Sequence, residues 1–215
     1  PHLWDIDDPF LYDAVVQLHD DGGRALDAVR ETFGFREFRI DGTRFLLNEQ
    51  EIRLRPITLS DINIGVRESY ENYVDALQDA SFNFAEIWPV NLAQRGRVNY
   101  HELFGDVAMR KGFLFSGVAP DTKQLVRSAK DIADPGVQAA FTTDIRSACR
   151  DLINNPALVM WGTTGNFYAY QSDQNPRLLG TRAEAQYTDD LAERAEAGRR
   201  LLGLIERYDP TRPVF

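Results

Sequence analysis

The chain has 215 residues, of which 43% are hydrophobic and 27% are charged, proportions that are ordinary for a globular protein with a sizeable core. It carries 33 Asp and Glu against 24 Lys and Arg, and the resulting net charge of −9 disfavours nucleic acid or an anionic membrane as a partner. No apolar run approaches the ~18 residues that a membrane-spanning helix needs. These values suit a soluble protein with neutral or cationic ligands.

The first 50 residues have the pattern of β-strands. Apolar and polar residues alternate in residues 11–18, as they do in a half-buried strand. Two further apolar stretches, residues 31–40 and 44–48, flank Asp41-Gly42, which is a strong hairpin signal because glycine accepts a positive φ. The sequence therefore predicts an antiparallel β region that ends near residue 50.

Strands and helices are predicted to alternate from about residue 51 onward. Four stretches place apolar side chains on one helical face: residues 67–80, 99–111, 136–153 and 187–209. Short apolar runs are typical of the strands between them: residues 82–90, 113–120 and 157–163. This alternation predicts a parallel sheet with helices on its outside, and therefore an α/β fold class.

Ligands of such sheets bind at the carboxyl ends of the strands. Trp88 and Trp161 close two strands at that end, where an indole ring can stack on the C–H face of a sugar. The alternative is that either ring fills the core. Glu86 lies near the same end and is either a ligand-contacting carboxylate or a structural one in a salt bridge. The sequence thus provides three candidates for sugar contact.

Motifs for common cofactors are missing from the sequence. It contains no P-loop, no GxGxxG after a first strand and no GxSxG elbow. "HELFG" begins like a zinc-protease helix, but Gly105 occupies the position of the second histidine. His2, His19 and His101 have no metal-ligand spacing, so the sequence predicts neither a metal site nor a cofactor.

Several phrases, taken in order, resemble glycoside hydrolase family 2. "LWDIDDPFLYDAVVQL" followed by "FGFREFRIDGTRFLLNEQEIRLRPI" resembles the late part of the family's immunoglobulin-like β-sandwich and its entry into a (β/α)₈ barrel. "DASFNFAEIW", "FGDVAMRKGFLF", "NNPALVMWGTTGN" and "ERYDPTRPV" resemble successive segments of that barrel. The resemblance implies that residues 1–50 are the C-terminal part of the sandwich and residues 51–215 the N-terminal half of the TIM barrel.

The resemblance also implies the chemistry of a retaining glycosidase, which uses two carboxyl groups about 5–5.5 Å apart as acid/base and nucleophile. Asn166 matches the asparagine at the end of the fourth barrel strand, whose side chain typically touches the 2-hydroxyl of the sugar in this family. The acid/base glutamate directly follows that asparagine in the family. Here the next residue is Phe167, which cannot donate a proton.

Three explanations of Phe167 stay open. The alignment is displaced, because "GTTGN" is longer than the family's usual turn; or another carboxylate supplies the proton, with Asp173 and Glu86 as weak candidates; or the site binds without catalysis. Glu86 is a second departure, since the family usually has arginine there.

The resulting prediction is a family 2-like glycosidase that acts on O-glycosidic bonds of β-linked carbohydrates and needs no redox or nucleotide cofactor. The alternative is a non-catalytic carbohydrate-binding relative with a degenerate site. A TIM barrel takes ~250 residues, so the nucleophile strand is expected beyond Phe215 and the chain is interpreted as a fragment. Its oligomeric state and its compartment stay open, although an extracellular or periplasmic location is compatible with the sequence.

Overall fold

The computed structural model describes residues 1–59, 67–87, 100–118, 134–162 and 191–215. Its first part is antiparallel. Strands β1 (Tyr12–His19) and β2 (Ala25–Phe33) form a two-stranded sheet, and β3 (Phe38–Asp41), β4 (Arg44–Leu47) and β5 (Gln50–Ile52) form a three-stranded sheet in that order. The predicted hairpin at Asp41-Gly42 is confirmed, because β3 pairs with β4 and Gly42 has a φ of 60°.

The second strand begins earlier than the sequence pattern predicts, at Ala25 and not near residue 31. A turn at Asp20 precedes β2, where the Asp20 carboxylate accepts hydrogen bonds from the backbone amides of Gly22 and Arg24. The predicted strand over residues 31–40 is divided, since β2 ends at Phe33 and β3 begins at Phe38. Between the two strands the backbone changes partner: Phe35 pairs with Leu3 and its carbonyl accepts a hydrogen bond from the Trp4 amide, and at Gly34 a Cβ would lie 2.8 Å from the Cγ of Pro156.

The second part is a parallel four-stranded sheet. Strands β6 (Pro56–Leu59), β7 (Phe84–Ile87), β8 (Leu114–Val118) and β9 (Leu158–Gly162) lie side by side in chain order, and each neighbouring pair is parallel. The described helices are α1 (Arg67–Asp79), α2 (Tyr100–Lys111), α3 (Pro135–Leu152) and α4 (Leu191–Tyr208). A parallel sheet with helices between its strands confirms the α/β class.

The packing of α1 and α3 and the start of α3 have local reasons that the sequence contains. Helix α3 starts at Pro135 behind the N-cap Asp134, whose carboxylate accepts hydrogen bonds from two backbone amides of the first turn. Its apolar stripe of Phe141, Ile145, Cys149 and Leu152 is buried. Helix α1 likewise buries Tyr70, Val74 and Leu77. These stripes cover the parallel sheet and form the core with it.

The N-terminal segment is attached to the parallel part through Trp4. Its side chain is fully buried, and its indole Nε1 donates a hydrogen bond to the backbone carbonyl of Met109 in α2 at 2.7 Å. Nearby, Gly112 ends α2 with a φ of 69° and lies directly against the carbonyl of Ile6. Among the described residues, no helix is long and apolar enough to cross a membrane.

Candidate functional site

The candidate site is the edge of the parallel sheet at which all four strands end. Since β6 to β9 are parallel, their carboxyl ends meet at this edge, where ligands of such sheets bind. One row of paired residues crosses three strands close to it, from Thr58 to Glu86 and Ser116; the pairing of Ser116 with Met160 in β9 follows a register shift. Partners in neighbouring strands point to the same face, so the row brings a carboxylate between two hydroxyl groups.

Glu86 is half-buried and has few partners in this row. The Thr58 hydroxyl donates to its Oε2 at 3.4 Å, a long and therefore weak hydrogen bond. Within the part of the chain that the structure describes, no lysine or arginine forms an ion pair with Glu86. Its carboxylate can therefore accept hydrogen bonds from hydroxyl groups of a ligand.

Ser116 is the second polar group of the row. Its side chain is fully buried, and its Oγ has no hydrogen-bond partner among the described residues. The preceding Phe115 packs edge to face against Phe104 of α2, so alternation along the strand directs Ser116 to the other face. An unpartnered buried hydroxyl costs free energy, and such groups are frequent at functional sites.

Trp161 lies on β9 but is buried inside the protein, with only 1% of its surface exposed. Its ring packs tightly over Gly117 of β8, and its Nε1 donates to Asp209 Oδ2 at 2.7 Å. This placement agrees with the alternative in which the ring fills the core. Contact between Trp161 and a sugar remains a prediction.

A buried polar cluster holds the C-terminal segment against β9. Arg212 Nη1 donates to Asp209 Oδ2 at 2.7 Å, and the other nitrogens of Arg212 donate to the backbone carbonyls of Leu158, Ile153 and Asn155. Burial acts to raise the pKa of Asp209, but the Arg212 charge and the hydrogen bonds that the carboxylate accepts outweigh it and lower that pKa. Asp209 is therefore an ionised structural carboxylate.

The remaining predicted site residues, Trp88, Asn166, Phe167 and Asp173, lie outside the described residues. Two of the predicted site residues, Glu86 in β7 and Trp161 in β9, therefore lie in the same parallel sheet. Among the described residues, no hydrogen bond or ion pair connects these two side chains. In the described ranges, no group of three or more His, Cys, Asp or Glu residues could hold a metal ion.

Sequence reasoning does not single out Thr58, Ser116 or Asp209. Thr58 and Ser116 lie in strands near the expected ligand edge, but threonine and serine are too common in strands to be selected one by one. Asp209 belongs to "DPTRPV", a phrase that carries part of the family resemblance without giving this residue a role. Cys149, on the apolar face of α3, is buried, and burial raises the pKa of its thiol to about 12.

Comparisons with known proteins agree with this architecture. Residues 1–36 match the sequence model of Glycosyl hydrolases family 2. The beta-galactosidase large subunit of Lactobacillus acidophilus is 27% identical over 95 residues, which cover 38% of this chain and 15% of the relative. The chain therefore spans about 15% of the length of that curated relative.

Solved structures are similar over the whole chain. A beta-glucuronidase from Bacteroides uniformis superposes with a TM-score of 0.74 at 21% identity, covering 100% of this chain and 24% of the enzyme. A family 2 beta-galacturonidase from Eisenbergiella tayi, bound to galacturonate, superposes with a TM-score of 0.70 at 20% identity, covering 99% of this chain and 33% of the enzyme. At such identities the superposition shows a shared fold. Together with the match of residues 1–36, it confirms the predicted resemblance of this chain to glycoside hydrolase family 2.

Proposed function

We propose that this chain is part of a glycoside hydrolase of the family 2 type that acts on O-glycosidic bonds of β-linked carbohydrates. The observation that supports this most directly is the agreement between two independent matches. Residues 1–36 fit the family's sequence model, and the whole chain has the fold of about one quarter of a beta-glucuronidase. Galactosides, glucuronides and mannosides are the substrates to test first.

The proposal includes a domain assignment. Residues 1–50 are the C-terminal part of an immunoglobulin-like β-sandwich, and residues 51–215 are the N-terminal half of a TIM barrel. The change of strand pairing supports this assignment, because the described strands are antiparallel up to Ile52 and parallel from Pro56 onward. Four parallel strands in chain order are what half of an eight-stranded barrel requires.

The proposed sugar contacts are Asn166, Trp88, Trp161 and Glu86. Glu86 has structural support, since its carboxylate is half-buried at the ligand edge and forms only one long hydrogen bond in the described part of the chain. A retaining mechanism also needs a protonated acid and an ionised nucleophile. Phe167 cannot be that acid. Unless the alignment is displaced at this strand, another carboxylate supplies the proton, and Glu86 and Asp173 are the weak candidates for it in this chain.

The test uses the complete protein and a panel of 4-nitrophenyl β-glycosides. Saturable release of nitrophenol from one β-glycoside is the expected result. Asn166→Ala should lower kcat/KM by ~10- to 100-fold, because a hydrogen bond that strengthens in the transition state is lost. Turnover that is indifferent to Asn166→Ala would contradict the placement of this residue at the sugar.

The second candidate function is carbohydrate binding without catalysis. Phe167 at the acid/base position and Glu86 in place of the family's arginine favour it. Binding on a glycan array without turnover of any aryl glycoside is the expected result. Phe167→Glu then serves as a probe of the alignment, since a gain of turnover would show that this position faces the scissile bond.

A further inference from the structure

A cavity at the opposite end of the parallel sheet contains a cationic group without a counter-charge. The cavity has a volume of about 360 Å³ and lies between residues 33–38, which run from the end of β2 to the start of β3, and residues 153–156, which precede β9. Because it is located before the first residue of β9, it lies at the amino end of that strand, away from the candidate sugar site. Arg36 and Arg212 both line it.

Arg36 is held in place by backbone carbonyls alone. Its Nε donates to the carbonyl of Pro156 at 2.9 Å, and its Nη2 donates to the carbonyl of Leu158. The described residues provide no carboxylate within ion-pair distance of Arg36, and its Nη1 forms no hydrogen bond with them. A guanidinium has five N–H donors, so three of those of Arg36 form no hydrogen bond with the described residues, and Arg36 lines the cavity.

The neighbouring charges do not neutralise Arg36. The carboxylate of Asp209 is used by Arg212, Trp161 and Thr211, so the cluster has two guanidinium groups and one carboxylate. Burial, reinforced by repulsion from Arg212, lowers the pKa of Arg36 to about 9, which still leaves it charged at neutral pH. Asp209 offsets part of this effect. A partly buried charge without an ion-pair partner is unfavourable, and an anion in the cavity would reduce that cost.

The shape and lining of the cavity indicate which anion fits. Phe33, Phe35, Ile153 and Pro156 provide apolar surface beside the guanidinium. Phe35 and Ile153 keep 44% and 39% of their surface exposed, so the cavity is open to solvent. Its volume is at the lower end of the ~300–1,000 Å³ typical of small-molecule sites.

We propose that this cavity is a binding site for a small carboxylate with an apolar body, bound through Arg36. A single excess positive charge is matched by one carboxylate, and the guanidinium fork binds such a group with two parallel hydrogen bonds. The apolar part of the ligand covers the phenylalanine and isoleucine side chains. One acidic residue, Glu37, also lines the cavity, is mostly exposed and opposes binding.

The experiment is isothermal titration calorimetry of the complete protein with benzoate, with benzyl alcohol as the neutral analogue of similar shape. Saturable binding of benzoate, and at least about tenfold weaker binding of benzyl alcohol, is expected. Arg36→Met should weaken benzoate binding by about tenfold or more, and Glu37→Gln should strengthen it by about two- to fivefold. Arg24→Met, which removes an exposed arginine directly before the second strand of the β1–β2 hairpin and away from the cavity lining, is the matched control and should change nothing.

Three outcomes would overturn the proposal. They are equal binding of benzoate and benzyl alcohol, equal benzoate binding by Arg36→Met and the unmodified protein, and absence of saturable benzoate binding. If Arg36→Met does not fold, Glu37→Gln still tests the proposal. An unchanged benzoate affinity in Glu37→Gln would show that benzoate binds elsewhere. Glycosidase turnover of the unmodified protein is measured with and without benzoate. Benzoate is expected to leave turnover unchanged, which separates this site from the proposed sugar site.

Discussion

The indole of Trp161 and the carboxylate of Asp209 are joined by a buried hydrogen bond of 2.7 Å that connects β9 with the segment following α4. The same Oδ2 atom accepts a hydrogen bond from Arg212 at 2.7 Å, while Oδ1 accepts from the hydroxyl and backbone amide of Thr211. Asp209 and Arg212 are both nearly inaccessible to solvent. One carboxylate therefore holds three side chains around the fourth strand of the parallel sheet.

Replacing this carboxylate should be strongly destabilising. Asp209→Asn leaves the buried Arg212 guanidinium without a counter-charge, and we expect a loss of about 3–5 kcal/mol in the free energy of unfolding. Asp151→Asn is the control, because its ion pair with Arg150 is largely exposed and should contribute about 0–1 kcal/mol. Urea unfolding followed by tryptophan fluorescence measures both, and equal losses in the two variants would contradict the assigned role of Asp209.

The acid dependence of stability follows from the same group. The folded-state pKa of Asp209 is lowered, so its ionised form contributes stability above its unfolded pKa of ~3.9. That contribution is lost as the pH falls through the folded-state value. The stability difference between the unmodified protein and Asp209→Asn should therefore shrink below about pH 4. A difference that stays constant from pH 6 to acid conditions would show that Asp209 does not titrate as described.

Ser116→Ala should stabilise the ligand-free protein or leave it unchanged. The hydroxyl is buried without a partner among the described residues, so its removal relieves a desolvation cost of about 1–3 kcal/mol, offset by a smaller loss of packing. Thr58→Val, in the same row but exposed, is the comparison variant. A drop in unfolding temperature for Ser116→Ala would mean that its hydroxyl has a partner in the protein.

Substitutions at two glycines should have opposite effects. A Cβ on Gly112 would lie 2.0 Å from the carbonyl oxygen of Ile6, and the φ of 69° is unfavourable for other residues. Gly112→Ala should therefore cost more than about 1–3 kcal/mol, because strain and a backbone collision add. At Gly203, within α4, an added methyl group would meet no atom within 4 Å, and Gly203→Ala should stabilise the protein by about 0.5–1 kcal/mol. Thermal unfolding measures both; a neutral Gly112→Ala would contradict the contact with Ile6.

Local patterns in the sequence were sufficient for the type of most of the described elements. The apolar stripes of α1 and α3, the hairpin at Asp41-Gly42 and the alternation that produces a parallel sheet all depend on neighbours within a few residues. The division of the predicted strand over residues 31–40 was not predictable in this way, because the residues between β2 and β3 contact distant segments: Phe35 pairs with Leu3, and Gly34 packs against Pro156.

The candidate site was predictable only in part, for the same reason. The position of Glu86 at the end of a strand follows from the sequence, and the ordered phrases of the family resemblance follow from it as well. Tertiary structure decided that Glu86 shares a row with Thr58 and Ser116, and that the Trp161 ring is buried against Asp209. Periodicity reports which face of an element is apolar, whereas the partner of a side chain depends on how distant segments pack together.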